Sequence, residues 1–177
     1  MKRCGLLGEK LGHSYSPAIH AELADYEYRL YEVAPEKLGE FLTGGGFDGM
    51  NVTIPYKEQV IPYLDELDKD TAKIGAVNVI KIIPQAKGKV KLVGYNSDII
   101  GFTRSIEPLL LPHHTKALIL GTGGASKAVF HGLANLGIQS TFVSRTKKRN
   151  DILTYGELTP EIMQEHTVIV NTTPLGM

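Results

Sequence analysis

The stretch Leu118-Ile-Leu-Gly-Thr-Gly-Gly-Ala-Ser-Lys-Ala-Val129 decides the fold. The apolar residues from Ala117 to Leu120 predict a buried strand, and an apolar stripe at helical spacing follows the glycines as far as Gly137, which predicts a helix stop. Strand, glycine turn and helix in this order are typical of a fold in which free N–H groups at the helix start bind a pyrophosphate. We therefore predict a dinucleotide-binding α/β domain here.

The glycine loop matches this pattern incompletely. Gly121 permits the tight turn and Gly123 lets a pyrophosphate approach the backbone, but Ser126 occupies the third position, where the pattern has Gly or Ala. Glycine patterns of this length also arise by chance. The residues of this loop that we predict to bind the cofactor are Gly121, Gly123, Gly124, Ala125 and Ser126.

A basic run follows the second strand, which we predict over Ser140 to Ser144. Dinucleotide folds distinguish NAD from NADP at this point, since an acidic residue binds the ribose 2′-hydroxyl and repels a 2′-phosphate. Between Ser144 and Asp151 the sequence has no acidic residue. A charge-assisted hydrogen bond is worth roughly 1.5–3 kcal/mol, so one Arg would favour NADP about tenfold to a hundredfold. We predict NADP, with a solvated basic loop as the alternative. The candidate contacts in this run are Ser144, Arg145, Thr146 and Arg149.

Composition excludes several classes of protein. The chain has 177 residues, of which 42% are hydrophobic, and its 19 basic residues balance 19 acidic ones, which disfavours nucleic-acid and membrane-surface roles. The single cysteine, Cys4, excludes an internal disulfide, and neither a signal peptide nor a long apolar run is present. The six histidines lack metal-ligand spacing. We expect a cytoplasmic protein without a metal.

The N-terminal half alternates strands and helices. We predict strands over Cys4 to Gly8, Tyr28 to Val33 and Gly49 to Ile54, and a helix over Glu36 to Leu42, which together indicate a mostly parallel sheet. Ser16-Pro17 predicts a further helix start, with Ile19 and Leu23 on its buried face.

Polar residues stand out in this half. The hydroxyls of Ser14 and Ser16, with the free N–H groups of the helix, suit a carboxylate, although Ser16 could simply cap the helix. Asn51 and Thr53 share one strand face, and Lys57 lies just beyond the end of that strand, where open parallel sheets bind ligands. A merely solvated lysine is the alternative.

An antiparallel hairpin and a linker complete the first domain. Lys73 to Ile83 holds a strand interrupted by Asn78, residues 84–88 form a turn, and Lys89 to Val93 pairs back. Asp98 begins a helical stripe that runs to Leu111, either as its N-cap or as a functional carboxylate. The best linker is Pro112-His-His114, so we predict a first domain over residues 1–113 and a second over 114–177.

The second domain looks incomplete. Thr159-Pro160 starts a helix and Thr167 to Asn171 forms a third strand. Three strands are half of a doubly wound fold and leave an uncovered sheet edge. We therefore expect a truncated chain.

Six motifs in register resemble shikimate dehydrogenases over essentially all 177 residues. The resemblance implies an N-terminal α/β substrate domain, a C-terminal Rossmann domain and an active site in the cleft between them. The motifs are Ser14-Tyr-Ser-Pro17, Asn51-Val-Thr-Ile-Pro-Tyr-Lys57, Gly75-Ala-Val-Asn78, Gly94-Tyr-Asn-Ser-Asp98, Gly121-Thr-Gly-Gly-Ala-Ser126 and Ser144-Arg-Thr146.

The same resemblance implies residue roles and a reaction. The two serines hold the substrate carboxylate; Thr53, Asn78 and Asp98 contact ring hydroxyls; Lys57 and Asp98 form the catalytic pair. Asn171 and Thr172 join the cofactor site. The implied reaction is NADP-dependent, reversible reduction of 3-dehydroshikimate to shikimate in the biosynthesis of chorismate and aromatic amino acids. It needs a hydride and a proton for the developing alkoxide, and an ammonium can supply the proton.

Two alternatives remain open at this point, a dual quinate/shikimate dehydrogenase and a ligand-binding module, whereas a methylenetetrahydrofolate dehydrogenase is disfavoured. A dual quinate/shikimate dehydrogenase would often carry an acidic residue where Arg145 stands, and a methylenetetrahydrofolate dehydrogenase would need a different lysine context. A ligand-binding module without turnover fits a chain that lacks the family's later strands and its further glutamine; for it we expect substrate binding, weak cofactor binding and little catalysis. We expect a monomer or homodimer.

Overall fold

The computed structural model describes residues 2–12, 14–23, 25–86, 89–147 and 149–175. The chain divides into two compact units, Met1–Asn96 and Ser97–Met177, each built on its own sheet. This division precedes the linker at Pro112, because the helix that begins at Asp98 packs within the second unit. The domain limits 1–113 and 114–177 stay a prediction.

The first unit contains a mixed sheet with the strand order β2-β1-β3-β5-β6-β4. Strand β1 runs parallel to β2 and β3, whereas β5 runs antiparallel to β3 and β6, which confirms the predicted hairpin. Its turn lies partly outside the described residues, at Lys87 and Gly88. The strands are β1 Arg3–Gly8, β2 Glu27–Glu32, β3 Gly49–Val52, β4 Glu66–Leu67, β5 Val79–Pro84 and β6 Val90–Tyr95.

One face of this sheet carries the core of the unit. Leu7, Val52 and Ile80 project from it toward buried side chains such as Leu42 and Tyr56. The helices of the unit are α1 Ser16–Leu23, α2 Leu38–Gly44, α3 Tyr56–Gln59 and α4 Lys69–Ile74, with 3₁₀ turns at Pro35–Lys37 and Ile61–Tyr63. The start of the predicted strand from Lys73 to Ile83 instead belongs to helix α4. Asp68 caps this helix, and Gly75 ends it at a φ of 66°.

The prediction that Ile19 and Leu23 form the buried face of α1 is wrong. Their side chains are 56% and 69% exposed. The half-buried residues of the helix include Ser16, Pro17 and His20, which share one face at helical spacing. His20 faces inward because its ring stacks on Tyr28 of β2, with the ring centroids 3.8 Å apart.

The second unit has a parallel sheet with the strand order β10-β7-β8-β9. The described part of this unit has four strands, whereas the sequence predicted three. The prediction missed β9 because its three residues are too few to show a periodicity. The strands are β7 Lys116–Leu120, β8 Gln139–Ser144, β9 Ile152–Thr154 and β10 Val168–Asn171. After β9 the chain returns to the far side of β7, so the strand order reverses between β7 and β10, as in dinucleotide-binding sheets.

The helices of the second unit are α5 Asp98–Ile106, α6 Gly124–Asn135 and α7 Pro160–Glu165, with 3₁₀ turns at Glu107–Leu109 and Tyr155–Glu157. Gly132 lets α5 approach α6, since an added Cβ there would lie 2.9 Å from Phe102 Cδ1 and 2.9 Å from Thr103 Oγ1.

Throughout the described part of the chain, each helix is too short or too polar to cross a bilayer.

Candidate functional site

Four of the predicted substrate-site residues lie on segments at one end of the first sheet: Ser14, Thr53, Lys57 and Asn78. Because β5 runs opposite to β3 and β6, its amino end meets their carboxyl ends. The Val52 amide donates to the Asn78 carbonyl at 2.8 Å, and the Asn78 amide donates to the Tyr95 carbonyl at 3.0 Å. The strands thus bring the Thr53 and Asn78 segments together.

The segment that follows β1 packs against the same end of the first sheet. The Thr53 amide donates to the Leu7 carbonyl at 2.9 Å. An added Cβ at Gly8 would lie 2.6 Å from Leu11 Cδ2 and 2.9 Å from Thr53 Cγ2. The side chains of Leu11 and Thr53 therefore pack over Gly8, where a larger residue would not fit. This packing places the Ser14 loop beside the Thr53 loop.

Lys57 is held at this end by its backbone. Its carbonyl accepts a hydrogen bond of 2.7 Å from the amide of Val77, the residue before Asn78. The preceding residue, Tyr56, is fully buried and its phenol donates to the Val33 carbonyl, which anchors α3. The main chain at the half-buried Lys57 is therefore held beside Asn78.

Ser14 and Ser16 lie at the start of helix α1. Ser14 Oγ accepts a hydrogen bond of 3.2 Å from the Ser16 amide, so Ser14 satisfies one of the free amides at the start of α1. Ser16 is the first residue of α1 and is half-buried.

Sequence reasoning missed Tyr28, which lies beneath α1. Its phenol donates to Asn51 Oδ1 at 2.8 Å, and burial raises the pKa of Tyr28 to about 12, against the hydrogen bond of the Ser16 side chain, which lowers it. His20 covers the ring of Tyr28, and burial lowers the pKa of His20. No local pattern in the sequence could have revealed this bond, because Tyr28 and Asn51 are 23 residues apart and lie on strands separated by β1.

Asp98 belongs to the second unit. It is the first residue of α5 and is half-buried. The nearby Asn96 is buried, and its Nδ2 donates to the Ala76 carbonyl at 2.8 Å within the first unit. The catalytic pairing of Lys57 with Asp98 stays a prediction.

The glycine loop of the second unit has the geometry of an anion cradle. Gly121 has a φ of 111°, and an added Cβ would lie 2.7 Å from Thr172 Oγ1. That hydroxyl donates to the Leu120 carbonyl at 2.7 Å and joins the ends of β7 and β10. An added Cβ at Gly123 would meet no atom within 4 Å, which leaves open space before α6. The first amides of α6, from Gly124 and Ala125, lie at this opening.

Ser126 fits the loop despite departing from the Gly or Ala pattern. Its side chain is 1% exposed, and its Oγ donates to the Gly123 carbonyl at 2.6 Å. The hydroxyl is therefore satisfied internally and stays out of the open space.

The basic run follows strand β8, and two of its cations lie close to carboxylates. Lys147 Nζ lies 2.5 Å from Glu157 Oε1, and Arg149 lies 3.0 Å from Asp151 Oδ2. Arg145 is exposed and has no ion pair with any residue that the structure describes. The Thr146 amide approaches Ser144 Oγ at 3.5 Å. Lys148 lies outside the described residues.

Asn171 shapes the segment after β10. Its Oδ1 accepts the Thr173 amide at 2.9 Å, and its Nδ2 donates to the Leu175 carbonyl at 2.9 Å. In the described ranges, no group of three or more His, Cys, Asp and Glu residues is arranged to hold a metal ion.

Comparison with known proteins gives consistent matches. Residues 6–80 match the family model described as shikimate dehydrogenase substrate binding domain. The chain is 39% identical to a shikimate dehydrogenase (NADP(+)) of Halothermothrix orenii, over 98% of this chain and 68% of that protein.

Solved structures agree. The crystal structure of shikimate dehydrogenase 1 from Peptoclostridium difficile has a TM-score of 0.84 at 31% identity, covering 100% of this chain and 69% of that one. A shikimate 5-dehydrogenase from Thermus thermophilus, solved in complex with NADP(H) and shikimate, has a TM-score of 0.77 at 30% identity, covering 98% and 69%.

Proposed function

The chain belongs to the shikimate dehydrogenase family, and on this premise we propose that it reduces 3-dehydroshikimate to shikimate, reversibly and with NADP, in the biosynthesis of chorismate and aromatic amino acids. The observation that carries the proposal is the meeting of the Ser14, Thr53, Lys57 and Asn78 segments at one end of the first sheet. These residue types match the hydroxyls and the carboxylate of the substrate.

Ser14 and Ser16 are proposed to hold the substrate carboxylate, and Thr53, Asn78 and Asp98 to bind ring hydroxyls. Support comes from the position of Ser14 and Ser16 at the start of α1, where helix amides and the dipole favour an anion. Thr53 and Asn78 are half-buried, so each would gain a hydrogen bond to a substrate without full desolvation.

Lys57 is proposed as the general acid in reduction and the base in the reverse direction. An ammonium at a fixed position stabilises a developing alkoxide and donates its proton to that oxygen. The backbone hydrogen bond from Val77 supports this role because it holds the main chain at Lys57 beside Asn78. Asp98 is proposed to keep the Lys57 ammonium charged, since a nearby carboxylate favours the protonated form.

The second unit is proposed to bind NADP. The open space at Gly123 and the adjacent amides of Gly124 and Ala125 suit its pyrophosphate, and the exposed Arg145, which has no ion pair among the described residues, suits its 2′-phosphate. Ser144, Thr146 and Arg149 lie on the same loop, while Asn171 and Thr172 border the glycine turn through the Thr172 bond to Leu120. When bound, the reduced cofactor supplies the hydride.

The test is shikimate-dependent reduction of NADP by the full chain, with quinate and NAD as parallel arms. We expect turnover with shikimate and NADP, and a drop in kcat of about 10²- to 10⁴-fold in Lys57→Ala with a smaller change in KM. Lys69→Ala, an exposed lysine of α4, is the matched control and should leave both constants unchanged.

Two outcomes would contradict this function. An unchanged kcat in Lys57→Ala rejects the role of the lysine. Shikimate binding without any NADP reduction contradicts turnover by this 177-residue chain and supports a ligand-binding module. We also propose a cytoplasmic location and a monomeric or homodimeric state, to be checked by cell fractionation and sedimentation.

A further inference from the structure

Glu32 joins the end of β2 to the segment that carries Ser14. Its main chain is fixed, because Glu32 pairs with Gly8 in the parallel ladder and the next amide, from Val33, donates to the Gly8 carbonyl at 3.0 Å. Its side chain reaches the segment that follows β1, where Oε1 accepts a hydrogen bond of 2.6 Å from the Leu11 amide. This bond ties that segment to the edge strand of the sheet.

Two further hydrogen bonds connect Leu11 to the start of α1. The Leu11 carbonyl accepts the Ser14 amide at 3.2 Å, and Ser14 Oγ accepts the Ser16 amide at 3.2 Å. The side chain of Leu11 is 6% exposed and packs over Gly8. A carboxylate that holds the Leu11 peptide group therefore also restrains the position of Ser14.

We propose that Glu32 is a positioning residue that holds the Ser14 hydroxyl in place as a donor to the substrate carboxylate. The inference rests on the proposed function, because it takes the carboxylate of shikimate as the group that Ser14 binds. Glu32 itself does not bind the substrate in this proposal, since two carboxylates repel each other.

The hydroxyl of Ser14 has a proton for this task. A serine hydroxyl offers one proton and two lone pairs, and the bond from the Ser16 amide uses only a lone pair. The proton can go to an anion as long as the oxygen stays where the Leu11 peptide group holds it. A carboxylate is a suitable partner for the Leu11 amide, because charge-assisted hydrogen bonds are roughly twice as strong as neutral ones.

The test compares the binding of shikimate with that of its methyl ester, which lacks the negative charge, by NMR titration of the full chain. The readout is the ratio of the ester Kd to the shikimate Kd. Glu32→Ala should lower this ratio about 3- to 10-fold, which is the extra strength of a hydrogen bond to a charged group over one to a neutral group. A loosened site would raise both constants alike and leave the ratio unchanged.

Two further variants of single carboxylates sharpen the result. Glu32→Gln keeps a neutral acceptor for the Leu11 amide, so its ratio should fall between those of the wild type and Glu32→Ala. Glu9→Ala removes the same charge from an exposed residue next to Gly8, and should leave the ratio within about twofold of the wild type.

Two readouts test the path from Glu32 to Ser14. The Leu11 amide should exchange its hydrogen several-fold faster in Glu32→Ala and at the wild-type rate in Glu9→Ala, because only Glu32 accepts its hydrogen bond. In a Ser14→Ala background, Glu32→Ala should not lower the ratio further, since the two residues act as one unit.

The outcomes separate the two proposals. A wild-type chain that binds no shikimate overturns the proposed function, and this inference with it. A chain that binds shikimate but shows the same ratio in the wild type and Glu32→Ala overturns the role of Glu32 alone. The same conclusion follows from an equal fall in Glu9→Ala, or from a further several-fold fall in the Ser14→Ala background.

Discussion

Gly121→Ala should destabilise the second unit through two separate effects. At a φ of 111°, an alanine costs about 1–3 kcal/mol in backbone strain. Its Cβ would lie 2.7 Å from Thr172 Oγ1, and moving that hydroxyl breaks its bond to the Leu120 carbonyl, worth about 0.5–1.5 kcal/mol. The sum is about 1.5–4.5 kcal/mol, with no loss expected in the first unit.

Amide hydrogen exchange measures this loss locally. The amides of β7 should exchange roughly 10- to 2,000-fold faster in Gly121→Ala, which is the expected free energy converted at about tenfold per 1.4 kcal/mol. The amides of β1 in the first unit should keep their rates. In a Thr172→Ala background the hydroxyl is absent, so only the strain of about 1–3 kcal/mol should remain.

Gly123→Ala is the matched control for this prediction. Its φ is −86° and its added Cβ meets no atom within 4 Å, so stability should hold while NADP affinity falls, because the methyl group enters the space proposed for the pyrophosphate. Equal acceleration of exchange in Gly121→Ala and Gly123→Ala would refute the reasoning.

The other predictions concern charge. Arg145→Ala should weaken NADP binding about tenfold to a hundredfold, measured by calorimetry, and should leave NAD binding within about twofold of the wild type. Arg104→Ala, which removes an exposed arginine elsewhere, should change neither affinity. Equal losses of affinity for both cofactors would argue against a contact between Arg145 and the 2′-phosphate. Glu157 has a pKa of about 2, below its ordinary 4.5, mainly through its hydrogen bond from Lys147, so its contribution to stability is present above pH 4.5 and lost as the pH falls toward 2. Lys147→Met should raise the pKa of Glu157 in a carboxyl ¹³C NMR titration, and an unmoved midpoint would assign the shift to the Thr154 cap instead.

Local chemistry explains which elements the sequence could predict. The glycine turn, Gly45 at the end of α2 and Gly137 after α6 mark backbone conformations that few other residues adopt, so they were readable directly. The hairpin β5-β6 was readable because its strands are long enough to show alternation. Strands β4 and β9 have two and three residues, too few for a period.

The burial of α1 depended on tertiary contacts. Ile19 and Leu23 looked like a buried stripe, yet His20 of this helix faces the sheet because its ring stacks on Tyr28. The positions of Thr53, Lys57 and Asn78 followed from strand direction, whereas the bond between Tyr28 and Asn51 joins residues 23 apart in sequence, which a local pattern does not reveal. Roles for these side chains remain predictions to be tested as above.

Ser126 bears on how dinucleotide loops are recognised in unannotated sequences. A motif search that admits only glycine or alanine at the third position treats the rule as a limit on side-chain volume, and would pass over this loop. The bond from Ser126 Oγ to the Gly123 carbonyl suggests another criterion: the third residue must not compete with the ligand for the helix amides. A serine that folds back onto the first turn meets that criterion, so a permissive pattern with a check on the serine rotamer would recover such chains.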